Sequence, residues 1–573
     1  MAAINSSDIS LSDIVRIVSS LSDICASSIG PMCEKTLFTT STGSVQFVTN
    51  GIDILNALQF SHPVAKFVVN SLQHVHSVTG DGSKLFILYI TELTRSVELR
   101  VNSSSQTNGT QFRENMRRIS QGLRNFKRLI MEFEFRNRLS FFSSINFSDF
   151  LLICCHLKQV CKSVLLSSLS DKESVYFSSL LIDFLSYGVE CTDSLHQVID
   201  FTIKHFDVLI HKDIGHCYSS SKVLPGILIP CEGTLSLDLS SSKEEIVSVI
   251  LQNFLTSDED AETTKATFKI TEFYEFSSLV AFQYHQCEAF IKQCTLNNVK
   301  LVCCCHEIPK FAETLFQQHG IYTISYLPEE FCEYFQTVAK KQPLSCIRDS
   351  LCDSSLVSFG LHKRIVINGS TYLQMTLQSC PLLVNASSSL ILTAPTLGMV
   401  HSLSQQIFKC LKSLRMCFET FQILPFDREN ITNENFTLTA PTPSSNIFTI
   451  PAMTFQTKML QYSQERTFKN ISHNNNDDDD DGDIPWEILH DTFRSVCRKV
   501  CTPQKFSPIQ IQNWLPEPDE IKMNNNNSEE FYKEGSWLPL YTEFYILHSS
   551  LQVVIQLLNM DQIVKVKSIK KNV

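Results

Sequence analysis

The sequence predicts a multidomain protein of mixed α and α/β class, and three stretches carry that reading. Val64, Val68, Leu72 and Val75 recur at helical spacing before Thr79-Gly80-Asp81-Gly82-Ser83-Lys84, and Leu85, Leu88, Tyr89 and Leu93 recur after it. A polar turn therefore separates two helices. In the middle third, an apolar run at 299–305 is followed by a helix at 309–319, opened by Pro309 and closed by Gly320, and then by a strand at 321–326. That β-α-β order predicts parallel strands covered by helices. Near the C-terminus, Leu547, Leu551, Val554 and Leu558 share one helix face. With 573 residues, of which 43% are hydrophobic and 19% charged, the chain can bury the cores of about three or four globular domains.

Taken in order, Ser10-Leu11-Ser12-Asp13 is a capping pattern opening a helix with Leu11, Ile14, Val18, Leu21 and Cys25 on its apolar side, stopped by Gly30-Pro31. Residues 36–40 and 45–49 read as a hairpin around Ser41-Thr42-Gly43, and Asn50-Gly51 leads into another helix. After the turn a helix runs over 85–99, and 102–111 is a polar loop. Residues 113–136 form a basic helical segment with a solvated face, and 141–185 is helical. The character changes near Phe206. Residues 223–229 read as an apolar strand bent at Pro225-Gly226, Phe268 and Ile270 sit in another strand, and 277–295 is a helix with aromatic residues concentrated at 273–280. Residues 390–414 read as strand, loop and helix, and 430–472 is polar and irregular. The run Asp477 to Asp481 and the tract Asn524 to Asn527 are low-complexity, with disorder expected around 470–483.

A formal charge of -11 without a clustered Lys/Arg stripe argues against nucleic-acid binding. The apolar runs are too short to span a bilayer, and the first twelve residues lack the basic flank and apolar stretch of a signal peptide. A cytoplasmic location with reduced cysteines is the expectation. Asn368-Gly369-Ser370 is then a chance match to a glycosylation triplet. Cys303-Cys304-Cys305-His306 suggests metal binding, but neighbours on a strand point to opposite faces, so buried thiols are expected instead.

The polar turn is where chemistry is expected. Glycines let a backbone approach a ligand, and the free N–H groups of a helix start attract anions, so a phosphate suits Gly80, Gly82 and Ser83. Asp81 would repel that phosphate directly and is read as a ligand for Mg2+. Lys84, in the first helical turn, opposes the helix dipole by roughly 0.3 to 1 kcal/mol when exposed, and a bound phosphate reverses that sign. The alternative is that its stem carries the ammonium out to water.

Ser28-Ile29-Gly30-Pro31, Ser41-Thr42-Gly43, Thr49-Asn50-Gly51, His62-Pro63-Val64-Ala65-Lys66 and Gly80-Asp81-Gly82, in that order, resemble the start of the equatorial domain of the group II (t-complex polypeptide) chaperonins. Asn50-Gly51 without an intervening acid, and Gly80-Asp81-Gly82-Ser83-Lys84, are most like the divergent chaperonin-like proteins of Bardet-Biedl syndrome. The resemblance implies a helical equatorial domain built from 1–140 and 403–573, an intermediate domain from 141–205 and 356–402, and an α/β apical domain at 206–355. It also implies an ATP and Mg2+ pocket with Gly30, Pro31, Gly80, Asp81, Gly82, Ser83 and Lys84 as binding residues and Asp81 as the metal ligand. Hydrolysis is expected to be weak or absent: Cys33 replaces a glycine, residues 450–454 replace a glycine triplet, and the family's water-positioning aspartate falls on His401, so no catalytic residue is assigned.

The function implied is assembly of the BBSome for ciliogenesis. The implied partners are sister chaperonin-like proteins, cytosolic chaperonin subunits and BBSome subunits, near the ciliary base or centrosome. The alternative is an ATP-hydrolysing folding subunit acting in a ring, with strand 563–566 paired to a neighbour's hairpin at 36–49. A stand-alone enzyme lacks a visible triad or metal set.

Overall fold

The structure is a computed structural model that describes residues 4–8, 10–26, 36–39, 45–48, 51–56, 58, 60–104, 109–131, 150–166, 168–187, 192–231, 245–254, 273–377, 388–418, 449–451, 454–472, 484–501, 537–560 and 562–566. It is a mixed helical and sheet protein that divides into two compact units, one from Met1–Ser179 with Gln406–Val573 and the other from Leu180–Gln405.

In the first unit the two ends of the chain share one core. Leu11, Ile14, Val18 and Leu21 of the helix Leu11–Ala26 belong to the same buried cluster as Tyr545, Leu551 and Val554 of the helix Leu540–Leu558. The first of these helices is amphipathic and locally capped. Ser10 Oγ accepts the Asp13 N–H at 3.2 Å and donates to its carboxylate at 2.7 Å, which holds the Asp13 carboxyl below its usual range. The Leu540–Leu558 helix is instead buried nearly all round, as an apolar sequence without a polar face must be. Each fully buried Leu or Val there contributes about 1.5–3 kcal/mol.

Pro63–Thr79 and Ser83–Ser104 are the two helices expected around the polar turn, the second running from Ser83 through Ser104. Thr36–Thr39 and Val45–Val48 pair as the expected antiparallel hairpin. The strand Gln562–Val566 pairs antiparallel with Ile4–Asp8 of the same chain, Ile4 lying opposite Val566. Ile4–Asp8 reads INSSD and lacks the apolar alternation that marks a strand.

Part of the segment read as irregular is a helix, Thr454–Ser472, because Phe455 and Met459 stand one turn apart and bury against the common core. The helix Trp486–Cys501 does the same through Trp486, Leu489, Phe493 and Val496. Phe126 meets Trp486 edge-on at 5.6 Å and Tyr89 meets Phe493 at 6.1 Å, the geometry aromatic pairs favour.

The second unit holds a six-stranded sheet, in spatial order Ile227–Pro230, Ser370–Leu377, Leu356–Ile367, Glu245–Leu251, Val299–Cys304 and Tyr322–Ile324. The expected β-α-β unit is present, with Lys310–Gln318 as its helix, and the last three strands are parallel. The other pairings are antiparallel, so the sheet is mixed rather than parallel. One of these pairings is a hairpin, in which Asn368-Gly369, with φ angles of 50° and 80°, makes the two-residue turn joining Leu356–Ile367 to Ser370–Leu377. Val249, Val302, Phe290 and Phe316 form the core between sheet and helices. The helix expected at 277–295 runs over Phe273–Leu296, whereas Phe268 and Ile270 lie outside the described residues.

Cys303 and Cys304 are buried, and burial pushes both thiols up, Cys304 to about 12. Cys305 Sγ lies 2.9 Å from Cys332 Sγ, and His306 Nδ1 lies 2.9 Å from the Gln252 carbonyl.

The bend at Pro225-Gly226 carries the chain from one sheet to another. Lys222–Pro225 pairs with Ser388–Ala394, while Ile227–Pro230 pairs with Ser370–Leu377. Gly226 has φ +84°, and a Cβ there would stand 2.4 Å from the Met375 carbonyl oxygen, a backbone atom that cannot swing aside. Gly226→Ala is expected to destabilise this unit by about 2–4 kcal/mol, read as a lower urea midpoint. An unchanged midpoint would show that the crossover tolerates a side chain.

Candidate functional site

The helix Pro63–Thr79 ends where the chain needs a residue that can take a left-handed conformation. Gly80 supplies it at φ 71°, donating its N–H to the His76 carbonyl at 2.9 Å. At the other end, His62 Nδ1 accepts the Val64 N–H at 3.2 Å, with Pro63 at the first helical position. Thr79 Oγ1 lies 2.8 Å from the Val75 carbonyl and 2.7 Å from the Asp81 carbonyl, so one hydroxyl bridges helix end and turn. Gly82, at φ 81°, then redirects the chain into the helix Ser83–Ser104, where the Phe86 N–H reaches the Gly82 carbonyl at 2.9 Å.

Close approach of two other helices explains both glycines. A Cβ on Gly80 would meet Lys412 Cβ at 2.7 Å, and one on Gly82 would meet Ile546 Cδ1 at 2.0 Å. Gly51 is the third such position, since a Cβ there would come within 3.0 Å of Lys84 Cγ and 3.2 Å of Ser83 Oγ. The Lys84 stem therefore packs beside Gly51, and its charge acts on both Asp81 and Cys25. Among the residues assigned from sequence, the structure brings Gly80, Asp81, Gly82, Ser83 and Lys84 together. Gly30 and Pro31, like Cys33 and Asn50, lie outside the described residues.

Asp81 is engaged from within the chain. Its Oδ1 accepts the Gly82 N–H at 2.7 Å and lies 3.0 Å from Lys409 Nζ. The lysine is 7% exposed and the aspartate 37%. Burial pushes the Asp81 carboxyl up, but the Lys409 charge and hydrogen bond, the Gly82 N–H and Lys84 outweigh it and hold the group below the usual aspartate range. Lys409 comes from the helix Leu397–Phe418, whose next turn carries Lys412, and Lys412 Nζ donates to the Ser77 carbonyl at 3.0 Å near the C-terminal end of Pro63–Thr79. Two lysines three residues apart share a helix face, so one face meets both the carboxylate and the negative end of a helix dipole.

The Oδ1 of Asp81 is not placed as an open Mg2+ ligand. A hard divalent cation needs oxygen ligands, yet the Oδ1 of Asp81 already faces an ammonium and an amide. Among the described residues no group of three His, Cys, Asp or Glu side chains could hold a metal ion. Gly82 N–H is likewise spent on Asp81 rather than offered to a phosphate.

His401, the position expected to replace a water-orienting acid, is exposed and pairs with Gln405 across 3.3 Å on its own helix. Sequence reading missed Lys409, eight positions further on. Its signal was a lysine set among Ile407, Cys410, Leu411 and Leu414, all buried. Glu543 was missed too. It is 5% exposed, accepts from Gln456 Nε2 at 2.8 Å, and is pushed up to about 7 by burial, with the Asp81 charge adding to the shift.

Residues 21–425 match the TCP-1/cpn60 chaperonin family. Among curated proteins, the chain is similar to the human BBSome complex assembly protein BBS10, 22% identical over 438 residues, which is 71% of this chain and 58% of the relative. The mouse protein of the same description is 22% identical over 430 residues, 70% of this chain and 58% of the relative. The chain thus spans a little under three-fifths of the length of these relatives. With a match across most of its residues, from the first helix through the helix that carries Lys409, the chain belongs to the TCP-1/cpn60 chaperonin family.

Proposed function

We propose that this chain is a chaperonin-like assembly factor that assists assembly of the BBSome, with nucleotide turnover weak or absent. The observation that carries the reading is similarity to BBSome complex assembly proteins over about 70% of the chain. The arrangement around Asp81 supports the second half. Hydrolysis needs a cradle for the phosphates, a metal and a group that orients water. Here the candidate metal ligand faces Lys409, and the nearby carboxyl of Glu543 is buried against Gln456. An equatorial, intermediate and apical arrangement would let an apical surface present subunits while the equatorial part holds, without consuming, a nucleotide. Sister chaperonin-like proteins, cytosolic chaperonin subunits and BBSome subunits are the partners this role calls for, in the cytoplasm near the ciliary base.

The test is sedimentation of BBSome subunits from cells depleted of this protein, complemented with wild type or with the double variant Asp81→Asn, Lys409→Met, which removes both charges of the buried pair together. Subunits are expected to fall to small fractions on depletion and to return to the assembled fraction with either form. Purified wild-type protein should release phosphate from ATP at the background rate. Rescue by wild type alone, together with Asp81-dependent ATP hydrolysis, would establish instead an ATP-driven folding subunit working in a ring. Unaltered sedimentation on depletion would remove the assembly role.

A further inference from the structure

We propose that Lys409 is the resident cation of the Gly80–Lys84 turn: its ammonium holds the position at Asp81 that a divalent ion would need, so a nucleotide polyphosphate bound at this turn is bound without Mg2+. This rests on the location of the phosphate site at the turn but not on the assembly role.

The pair is built in rather than adventitious. Lys409 is almost fully buried, and a buried ammonium without a counter-charge costs several kcal/mol, so the fold requires Asp81 beside it. The backbone of the lysine's helix is pressed against the turn, since a Cβ on Gly80 would lie 3.4 Å from the Lys409 carbonyl oxygen and 2.7 Å from Lys412 Cβ. Lys412 anchors the same face to the Ser77 carbonyl. Moving Lys409 aside to admit a metal would therefore leave an ammonium to be rehoused in a packed interface. The carboxylate is fixed as well, because Gly82 N–H grips the same oxygen that faces the lysine.

The chemistry is substitution of one cation for another. A divalent metal bridges a carboxylate and phosphate oxygens and carries two charges; an ammonium carries one, donates hydrogen bonds and cannot be stripped by a chelator. With Lys84 also acting on Asp81, two ammonium groups bear on that carboxylate, while the nearby Glu543 keeps its proton up to about 7, so positive charge remains for an anion below that pH. The same substitution removes the Lewis acid that turnover uses.

The experiment is Mn2+ binding by the full chain, followed by the loss of the free Mn2+ electron-paramagnetic signal, with and without ADP. Wild type is expected to show no site that Asp81→Asn abolishes. Lys409→Met keeps the stem and removes the charge, and should gain an Asp81-dependent Mn2+ site, with affinity at least roughly tenfold above wild type. Lys409→Gln serves the same purpose should the methionine variant misfold by circular dichroism. A fluorescent ATP analogue retained by wild type should bind equally in EDTA and in Mg2+. The proposal fails if wild type binds Mn2+ at a site lost in Asp81→Asn, if folded Lys409 variants bind no more Mn2+ than wild type, or if analogue binding to wild type drops about tenfold in EDTA.

Discussion

Gly82→Ala is expected to destabilise the unit formed by Met1–Ser179 and Gln406–Val573 by about 2–5 kcal/mol. Two costs add. At φ +81° an alanine sits in a conformation L-residues rarely take, and its Cβ would stand 2.0 Å from Ile546 Cδ1 and 3.1 Å from Ile546 Cγ1. A flexible surface side chain would yield, but Ile546 is 1% exposed, β-branched and packed within the common core. The two costs are separable, because Ile546→Val removes the colliding methyl and leaves the backbone strain. Urea unfolding of Gly82→Ala with and without Ile546→Val should show part of the loss restored in the double variant, beyond the sum of the single effects. Strict additivity would mean that the two residues do not meet.

Glu543→Gln is expected to gain stability over wild type as pH rises from about 4.5 to about 7, because the buried Glu543 carboxyl opposes the stability that His156 and His548, held low by burial, add over the same range. The unfolded carboxyl ionises near 4.5, while in the folded protein burial and the Asp81 charge hold its proton up to about 7. Between these values the folded state binds the extra proton, so unfolding releases it and raising the pH favours the unfolded chain. The penalty is absent below the unfolded value and complete above the folded one, on the order of 3 kcal/mol. Asp81 contributes with the opposite sign. Its folded value is depressed, so its contribution is present above the unfolded aspartate value and is lost on acidification through the folded one. Urea midpoints at pH 5 and pH 8 check the first effect: Glu543→Gln should be clearly more stable than wild type at pH 8 and nearly equal at pH 5. Equal midpoints at both would show that Glu543 is solvated when the protein is folded.

Much of the architecture was legible because it is local. The helix on each side of Gly80–Lys84, the hairpin at Thr36–Thr39 and Val45–Val48, and the β-α-β unit ending at Tyr322–Ile324 each follow from periodicity and turn chemistry within a short window. The failures have equally local causes. Asn368-Gly369 was read for a modification triplet and not for the hairpin it makes, and Thr454–Ser472 hides its helix behind only a few apolar residues such as Phe455 and Met459. Ile4–Asp8 becomes a strand only because Gln562–Val566 lies beside it.

The sequence by itself determined the family, the glycine turn and its place between two helices, and which faces of those helices are apolar, since all of these are written in residue type and spacing. Tertiary structure alone decided what Asp81 faces. Lys409 and Glu543 stand 328 and 462 positions away along the chain, and no periodicity records which charge a fold will bring to a carboxylate across such a distance. Packing does so: the helix that carries the glutamate is buried in the core shared by both helices flanking the turn, and the helix that carries the lysine reaches that core through Met416 and lays Lys409 and Lys412 against the turn.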